Sequence, residues 1–476
     1  MTRSRLDGLY LLLIGSLVFL LLGIALENAA PVSMVDFRVI YYPARCLVQQ
    51  ADPYQQSAVL NLYRAEGGAS SSDSEKIRQI VTRHIYLPTA FSFTIPFAML
   101  PWGPAHVLWM ALTMGSLIFA SFLIWNLAAD SAPIVSGALI GFCLANSELL
   151  VITGNAAGIA ISLCMVAVWC FLRERFIPVG ILCFAISLGI KPQDTGFVWL
   201  YFLLAGGVYR KRALQTLFAA VAFSLPAILW VWRVAPHWMQ EWNSNVLALS
   251  RHGGISDPGL ASTGGHGLDM LISLQTVTSV FWDDPRIYNL VTWLICAPLL
   301  LLLAFAALRF RPSTRSAWLA LAAIAALSML PVYHRQIDAR LLLLAVPACA
   351  LLRAEGGRVG RLALVVTSAG IVSTSDLPWA ILLALIGKLH LPATGLSTQM
   401  VMALQVLPVP LLLLLMGAFY LWIFVSRASA PALPAGSPEQ TPLVPALFKV
   451  PHALKKSFRS TILSLCAKTC AVRGPE

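Results

Sequence analysis

The chain has 476 residues, of which 58% are hydrophobic and 11% are charged, and its mean hydropathy is +0.77. Typical soluble domains carry about 25% charged residues, so this composition excludes a soluble protein. A net charge of +12 would favour a nucleic-acid partner in a soluble chain, but in a membrane chain it first reports which side each loop faces. Residues 11–22 are apolar at nearly every position, whereas a transmembrane β-strand alternates. We therefore predict an all-α polytopic membrane protein and expect no nucleic-acid partner.

The first predicted membrane helix covers residues 9–26 and follows Arg3 and Arg5. Basic residues before a first span favour a cytosolic N-terminus. The polar segment 27–103 is then predicted to be an external loop. Within it, residues 87–100 are apolar but short and are interrupted by two prolines, which indicates an interfacial or re-entrant helix instead of a full span.

Further apolar segments have lengths near the about 20 residues that cross a bilayer as a helix. They cover residues 104–127, 133–151, 156–172, 176–190, 193–208, 213–232, 288–308, 316–332, 340–352, 361–388 and 397–425. With the first helix they predict a bundle of about twelve spans. Asp376 and Pro378 leave open whether 361–388 is one helix or two, and residues 233–286 form a second predicted external loop.

Basic residues concentrate in the loops that this topology assigns to the cytosol, whereas the short external turns hold Lys191, Arg335, Arg340 and Lys388. This asymmetry supports the orientation, with residues 1–427 as one domain in the plasma membrane. Residues 428–476 are predicted to be a cytosolic tail. Its first part is rich in Ala, Pro and Ser and predicted to be disordered, and its second part alternates apolar and basic residues, which indicates a helix lying on anionic membrane lipids.

Ionisable residues at the edge of a membrane are candidates for function. Asp36 lies about ten residues after the first span, at the start of an apolar, helix-like stretch. The alternative interpretation is a helix N-cap, a position that Asp favours because its carboxylate accepts free backbone N–H groups.

A second cluster of ionisable residues lies in the predicted external turn 333–340. His334 and Asp338 are four residues apart and would pair on one helix face, while Arg335 and Arg340 offer donors for an anionic oxygen. The alternative is a salt-bridge knot that ties two helix ends together.

Lys191, which precedes Pro192 in another external turn, could bind a lipid phosphate as a point charge or extend to the headgroups. Glu148 and Asn155 lie near the external ends of their spans, and the sequence leaves open whether Glu148 is structural or lines a cavity. All these residues share one predicted side. A carboxylate base, cations and a path for an apolar molecule favour group transfer from a lipid phosphate at the outer leaflet.

Several short motifs follow one another along residues 9–425: Asp36-Phe37 to Tyr41-Tyr42, Asp52-Pro53-Tyr54, Tyr86-Leu87-Pro88, Ala98-Met99-Leu100-Pro101, Gly154-Asn155, Gly180 through Lys191-Pro192, and Tyr333-His334-Arg335. In this order and topology they resemble glycosyltransferase family 87. That family consists of integral-membrane enzymes of the GT-C class and includes bacterial polyprenyl-phosphate-mannose-dependent α-mannosyltransferases.

The resemblance implies a GT-C-like bundle with external interfacial helices, and a hexose, mannose above all, moved with inversion from a polyprenyl-phosphate donor to a lipid or glycan acceptor. It implies that Asp36 is the general base and that one carboxylate suffices, because a phosphate leaves without an acid. It assigns the remaining roles as follows: His334 as a catalytic residue at the donor, Lys191, Arg335 and Arg340 at its phosphate, and Tyr42 and Asn155 in substrate binding. No cofactor or metal is implied.

The chain departs from the family pattern in two places. Leu87-Pro88 stands where two prolines are common, and Gly154-Asn155 stands where Gly-Gln is common, which puts the role of Asn155 in question. A ligase or polymerase of lipid-linked oligosaccharides is an alternative within the same class. A transporter of polyprenyl-linked sugars is an alternative from another class, but it would be expected to have internal repeats and polar groups near the bilayer midplane.

Overall fold

The fold is known from a computed structural model, which describes residues 2–30, 32–66, 75–259, 271–310, 312–386, 399 and 408–428. Within these ranges the chain is helical and contains no strand, so the predicted all-α class is confirmed. The predicted basic helix of the tail, Lys388 in its predicted turn, and His266 and Asp269 of the second external loop lie outside the described residues.

The first part of the chain places one long helix before a group of short ones. Its helices are α1 (Arg3–Ala29), α2 (Val35–Val48), α3 (Gln56–Ala65), α4 (Glu75–Thr82), a 3₁₀ turn (Pro88–Ala90), α5 (Phe91–Ala98) and α6 (Trp102–Ala128). The segment predicted to be short and interfacial, 87–100, forms the 3₁₀ turn and α5. Eight residues of α-helix rise only about 12 Å, far less than a bilayer.

The middle of the chain contains α7 (Pro133–Leu144), α8 (Glu148–Thr153), α9 (Ala157–Arg173), α10 (Ile177–Ile190), α11 (Pro192–Leu204), α12 (Gly207–Val234), α13 (Trp238–Ser250) and α14 (Gln275–Ser279). The described part of the predicted loop 233–286 is therefore largely helical.

The last part contains α15 (Pro285–Arg309), α16 (Thr314–Leu327), a 3₁₀ helix (Gln336–Ala345), α17 (Val346–Glu355), α18 (Gly357–Ser373), α19 (Asp376–Ile386) and α20 (Pro408–Ala428). The segment 361–388, left open as one helix or two, is broken at Thr374 and Ser375 into α18 and α19.

Six helical stretches among the described residues are long and apolar enough to cross a membrane: α1, α6, α7 with α8, α12, α15 and residues 408–427 of α20. The helices α9, α10 and α16 are apolar but shorter. Three other predicted spans, 193–208, 340–352 and 361–388, correspond to shorter or broken helices. A membrane protein is supported, while the count of about twelve remains a prediction.

Glycines let α1 and α7 cross in close contact. A side chain at Gly15 would overlap the carbonyl of Gly141, and one at Gly137 would overlap the carbonyl of Gly8. Small residues at such crossings let helix backbones approach closely, which is the usual basis of packing between membrane helices. The spacing of the glycines on α1 therefore allows α7 to pack against it.

An aromatic cluster fixes α2, the helix that carries Asp36, against α6. The ring of Phe37 stacks on Trp109 with a centroid distance of 4.4 Å and on Trp102 at 5.5 Å. Phe37 and Trp109 are fully buried, and stacked aromatic rings attract one another beyond the apolar area that they bury. The start of α2 is therefore held rigidly, as a site residue requires.

Ion pairs join several residues from predicted cytosolic loops. Asp130 binds Arg5 at 3.1 Å and Arg173 at 3.0 Å, and Arg427 binds Glu355 at 2.6 Å. These pairs group residues that the positive-inside pattern also groups. Which side of a membrane they face remains a prediction.

Candidate active site

The start of α2 is fastened to the break between α8 and α9. Met34 donates its backbone N–H to the carbonyl of Ile152 at 2.7 Å, and the indole of Trp109 donates to the carbonyl of Gly154 at 2.9 Å. Gly154 has φ +65° and a Cβ there would overlap Met34 and Phe37, so only glycine fits. This contact brings Asn155 next to Asp36.

Asp36 lies in the first turn of α2 and is not its N-cap. The N-cap is Met34, without a side-chain capping bond, so the alternative interpretation of Asp36 is wrong. Asn155 donates its side-chain amide to Asp36 Oδ2 at 2.7 Å and accepts the N–H of Ala157 at 2.9 Å. Arg335 Nη1 lies 3.7 Å from the same Oδ2. One oxygen of Asp36 is thus held by an amide and an arginine, and no other described residue bonds to Oδ1.

Lys191 lies between two carboxylates at the junction of α10 and α11. Its Nζ is 2.7 Å from Asp338 and 3.1 Å from Asp194, and the residue is 7% exposed. Burial disfavours the ammonium, but Asp194 and Asp338 raise the pKa of Lys191 above its ordinary value. Burial likewise opposes ionisation of Asp338, and Lys191 holds the pKa of that carboxyl below its ordinary value. Lys191 is therefore charged and compensated, and it does not extend to the surface.

The turn 333–340 is anchored by backbone contacts with the segment before α14. Ile272 donates to the carbonyl of His334 at 3.0 Å, and Leu274 donates to that of Leu330 at 2.9 Å. Asp338 accepts the N–H of Arg335 at 2.8 Å. This bond fixes the backbone of Arg335 beside Asp36.

The predicted pairing of His334 with Asp338 is replaced by a different one. Asp338 pairs with Lys191, and His334 Nε2 lies 3.6 Å from Asp194 Oδ1, while its Nδ1 lies 3.2 Å from the carbonyl of Val332. His334 has 0% exposure and lies behind Asp194, so it supports the Lys191 cluster and does not line the cavity described below.

Arg340, predicted to contact the donor, is 0% exposed and faces the interior of the bundle. It binds Asp376 at 2.6 Å and donates to the carbonyls of Asn146 at 2.8 Å and Thr374 at 3.0 Å. These three acceptors bind its two terminal nitrogens and tie the 3₁₀ helix to α19 and to the segments that follow α7 and α18. Arg340 therefore forms a structural salt bridge of the kind that the alternative interpretation of this turn predicted.

Tyr42 and Glu148 are also outside the cavity. Tyr42 is buried with its ring stacked on Trp102 at 6.0 Å and edge-on to Tyr63 at 4.8 Å, so it packs α2 against α6 and α3 and does not line the cavity. Glu148 is buried, and its Oε1 accepts no hydrogen bond from any residue that the structure describes. The structure gives no contact that explains this placement of Glu148.

A cavity of about 450 Å³ joins the remaining residues. Its lining includes the predicted site residues Asp36, Asn155, Lys191 and Arg335. It also includes Asp338, Arg83, Tyr86, Gln193, Trp242, Ser256 and Tyr333. Burial raises the pKa of Tyr86 above its ordinary value, so its hydroxyl is a neutral hydrogen-bond group. Polar groups converging in a concave site of this size are typical of substrate binding.

A second, apolar cavity of about 660 Å³ lies between α10, α11 and α12. Apart from Thr89, Gln193 and Ser224, its described lining is Gly, Pro and hydrophobic residues. The two cavities share Pro192 and Gln193, the residues that follow Lys191. A polar site and an apolar groove therefore adjoin at the start of α11.

The comparison with protein families decides the class. Residues 84–330, just over half of the chain, match the family model described as glycosyltransferase family 87. The chain belongs to this family. The resemblance seen in the sequence motifs is thereby confirmed, and family 87 membership makes the protein a glycosyltransferase. No curated protein and no solved structure matches the chain.

Within this family 87 protein, the matched segment covers only part of the site. It includes Tyr86, Asn155 and Lys191, whereas Asp36 and Arg335 lie outside it. The assignment of these two residues therefore depends on geometry, namely their 3.7 Å contact and their shared cavity.

Proposed function

We propose that this glycosyltransferase moves a hexose, with mannose the preferred sugar, from a polyprenyl-phosphate donor to a lipid or glycan hydroxyl. The observation that carries the proposal is the hydrogen bonding of the Asp36 carboxylate. Its Oδ2 is held by Asn155 and Arg335, while Oδ1 has no hydrogen bond from a described residue, and the side chain is 16% exposed at the cavity. Such a carboxylate is oriented and still able to take a proton.

The reaction is a single displacement at the anomeric carbon. As the acceptor oxygen forms its bond to that carbon, Asp36 takes the hydroxyl proton, and the bond from the carbon to the phosphate oxygen breaks. The polyprenyl phosphate leaves with the electron pair, and the sugar configuration inverts. General-base assistance of this kind contributes roughly 10²- to 10⁴-fold in rate.

Charge at the site supports a phosphate leaving group. Lys191 carries one positive charge against the two carboxylates that bind it, so the cluster around it is net negative. Arg335 lies 3.7 Å from Asp36, shares the cavity with it and has a side chain that is 31% exposed. We infer that an arginine, more than Lys191, stabilises the phosphate charge, because its planar fork matches phosphate oxygens.

The apolar cavity supports a lipid-linked donor. It begins at Pro192 and Gln193, where the polar cavity ends, so one amphipathic molecule could occupy both with its phosphate at the junction. Burying a polyprenyl chain there stabilises binding by about 25 cal/mol per Å² of apolar surface removed from water. A water-soluble sugar nucleotide would make no use of this groove.

The proposal includes a GT-C-like bundle of about twelve spans in the plasma membrane, with the active site facing outward. The charge asymmetry of the loops supports this orientation. In this arrangement His334 is a positioning residue that supports Asp194 and, through it, Lys191.

The proposal is tested with membranes that contain wild-type protein or Asp36→Asn and are supplied with radiolabelled polyprenyl-phosphate mannose. We expect transfer into lipid or glycan by the wild type and a loss of at least about 100-fold in the variant. Asp7→Asn is the control, because Asp7 is an exposed carboxylate near the start of α1, and this variant should transfer normally. Equal transfer by folded Asp36→Asn protein would reject Asp36 as the base, and no transfer by the wild type would reject the donor.

A further inference from the structure

Arg83 is a cation in the polar cavity that the sequence motifs did not indicate. It lines the same cavity as Asp36, Lys191 and Arg335. No ion pair or side-chain hydrogen bond connects it to any residue that the structure describes, whereas Lys191 has two carboxylate partners and Arg335 lies beside Asp36. Among the described residues that line this cavity, Arg83 is the cation that no described carboxylate pairs with.

The backbone on both sides of Arg83 is fixed. It follows the last turn of α4 and precedes His84, which is fully buried with its Nδ1 2.9 Å from the carbonyl of Val39 on α2. The His84 ring stacks on Phe91 at 4.9 Å, and Asn245 on α13 donates to the His84 carbonyl at 3.3 Å. Arg83 is thus held at the cavity by three neighbouring helices and does not depend on a mobile loop for its position.

The segment that begins with Arg83 also connects the two cavities. Ile85, Tyr86 and Leu87 follow it along the wall of the polar cavity, and Thr89 lines the apolar cavity, where its hydroxyl donates to the carbonyl of Gly189 at 2.7 Å. A lipid phosphate whose chain occupies the apolar cavity would therefore lie beside this segment.

We propose that Arg83 binds the phosphate of the polyprenyl-phosphate donor. This inference rests on the proposed function and adds a donor-binding residue to it. The guanidinium presents parallel N–H groups that match two phosphate oxygens, and an uncompensated arginine attracts a phosphate without first giving up a carboxylate. A solvated surface arginine would have neither the cavity position nor the anchored backbone.

The first experiment measures initial rates of sugar transfer while the donor and the acceptor are varied separately. For Arg83→Gln we expect the donor KM to rise roughly 10- to 100-fold, the range for losing a hydrogen bond to a charged group, with the acceptor KM unchanged. Arg83→Lys should fall between, since it keeps the charge and loses the fork. Arg64→Gln, an exposed arginine at the end of α3, is the matched control and should behave as wild type.

The second experiment measures binding of polyprenyl phosphate, without sugar, to the purified full-length protein. Its dissociation constant should rise by a similar factor in Arg83→Gln and less in Arg83→Lys. This measurement does not require transfer, so it tests Arg83 even if the wild type fails to use a polyprenyl-phosphate sugar, which would instead reject the proposed function.

Two results would overturn the inference. One is an unchanged donor KM and unchanged binding of polyprenyl phosphate in Arg83→Gln. The other is a rise in acceptor KM alone, which would assign Arg83 to the acceptor. If Arg83→Gln protein does not fold, as judged by its elution from a sizing column, Arg83→Lys decides by the same two measurements.

Discussion

Replacing Arg340 separates a structural cation from a donor-binding one. In Arg340→Met, Asp376 loses its ion pair at 2.6 Å, and two backbone carbonyls lose their donors. Removing one partner of a buried pair typically costs about 3–5 kcal/mol. Asp376 keeps the N–H of Leu149 at 2.7 Å and the amide of Gln336 at 3.0 Å, so we expect the lower end, about 3 kcal/mol.

The assay is unfolding of the detergent-purified protein, followed by transfer kinetics on the fraction that remains folded. Arg427→Met is the control, because Arg427 also binds a carboxylate at 2.6 Å but both side chains are about one-third exposed, where a pair contributes at most about 1 kcal/mol. Folded Arg340→Met protein should keep the wild-type donor KM. Normal stability combined with a raised donor KM would show that Arg340 contacts the donor and that the geometric argument is wrong.

Two further predictions concern residues around Asp36 and Arg83. Burial lowers the pKa of His84 to about 4, below its ordinary 6.5, so protonation favours the unfolded chain. The contribution of neutral His84 to the free energy of unfolding is fully present above pH 6.5 and falls as the pH drops toward 4. At pH 5 the loss is about 2 kcal/mol. Unfolding midpoints measured at pH 7 and pH 5 should therefore differ in the wild type and much less in His84→Gln, and an equal shift in both would assign the pH dependence elsewhere. Asn155→Leu removes the 2.7 Å hydrogen bond to Asp36 and should lower kcat about 10-fold with donor binding nearly unchanged. A rise in KM with an unchanged kcat would instead make Asn155 a binding residue only.

The sequence points to the site residues that carry a charge at the predicted edge of the membrane, where spanning the bilayer does not require one. Asp36, Lys191 and Arg335 were indicated by that argument, and all three line one cavity. Asn155 was indicated by its motif, and the structure places its side-chain amide 2.7 Å from Asp36, while its substrate-binding role stays a prediction. Residue type and topology were sufficient because an unsatisfied charge at this depth is costly.

The predicted pairing of His334 with Asp338 is wrong for a geometric reason. It assumed an α-helix through 333–340, in which residues four apart share a face. Instead, residues up to Arg335 run beside the segment 271–274, and the helix that begins at Gln336 is a 3₁₀ helix with three residues per turn. His334 and Asp338 therefore do not share a face, and Arg340 points into the bundle. No local sequence signal distinguishes these two helix types here.

Hydropathy alone does not establish the number of spans, because packed protein interiors and lipid select the same residues. In α16, the residues from Leu319 to Leu327 are all buried within the protein, although the sequence alone suggests contact with lipid. Apolar runs of 10 to 14 residues are as typical of buried core helices as of membrane helices. Hydropathy thus locates apolar helices but does not distinguish burial within the protein from contact with lipid.

The surroundings of the carboxylates at the site support Asp36 as the proposed base. Asp338 binds Lys191 and the N–H of Arg335, and Asp194 is fully buried between Lys191 and His334, so each already has a buried cationic or hydrogen-bonded neighbour to satisfy. Protonating either would leave Lys191 with less compensation in a buried place, which is costly. Asp36 lines the cavity, and its Oδ1 has no hydrogen bond from a described residue, so of the three carboxylates it is the best placed to meet an acceptor hydroxyl. In the proposed mechanism the three carboxylates divide their roles: Asp194 and Asp338 hold the lysine in place, and Asp36 takes the proton.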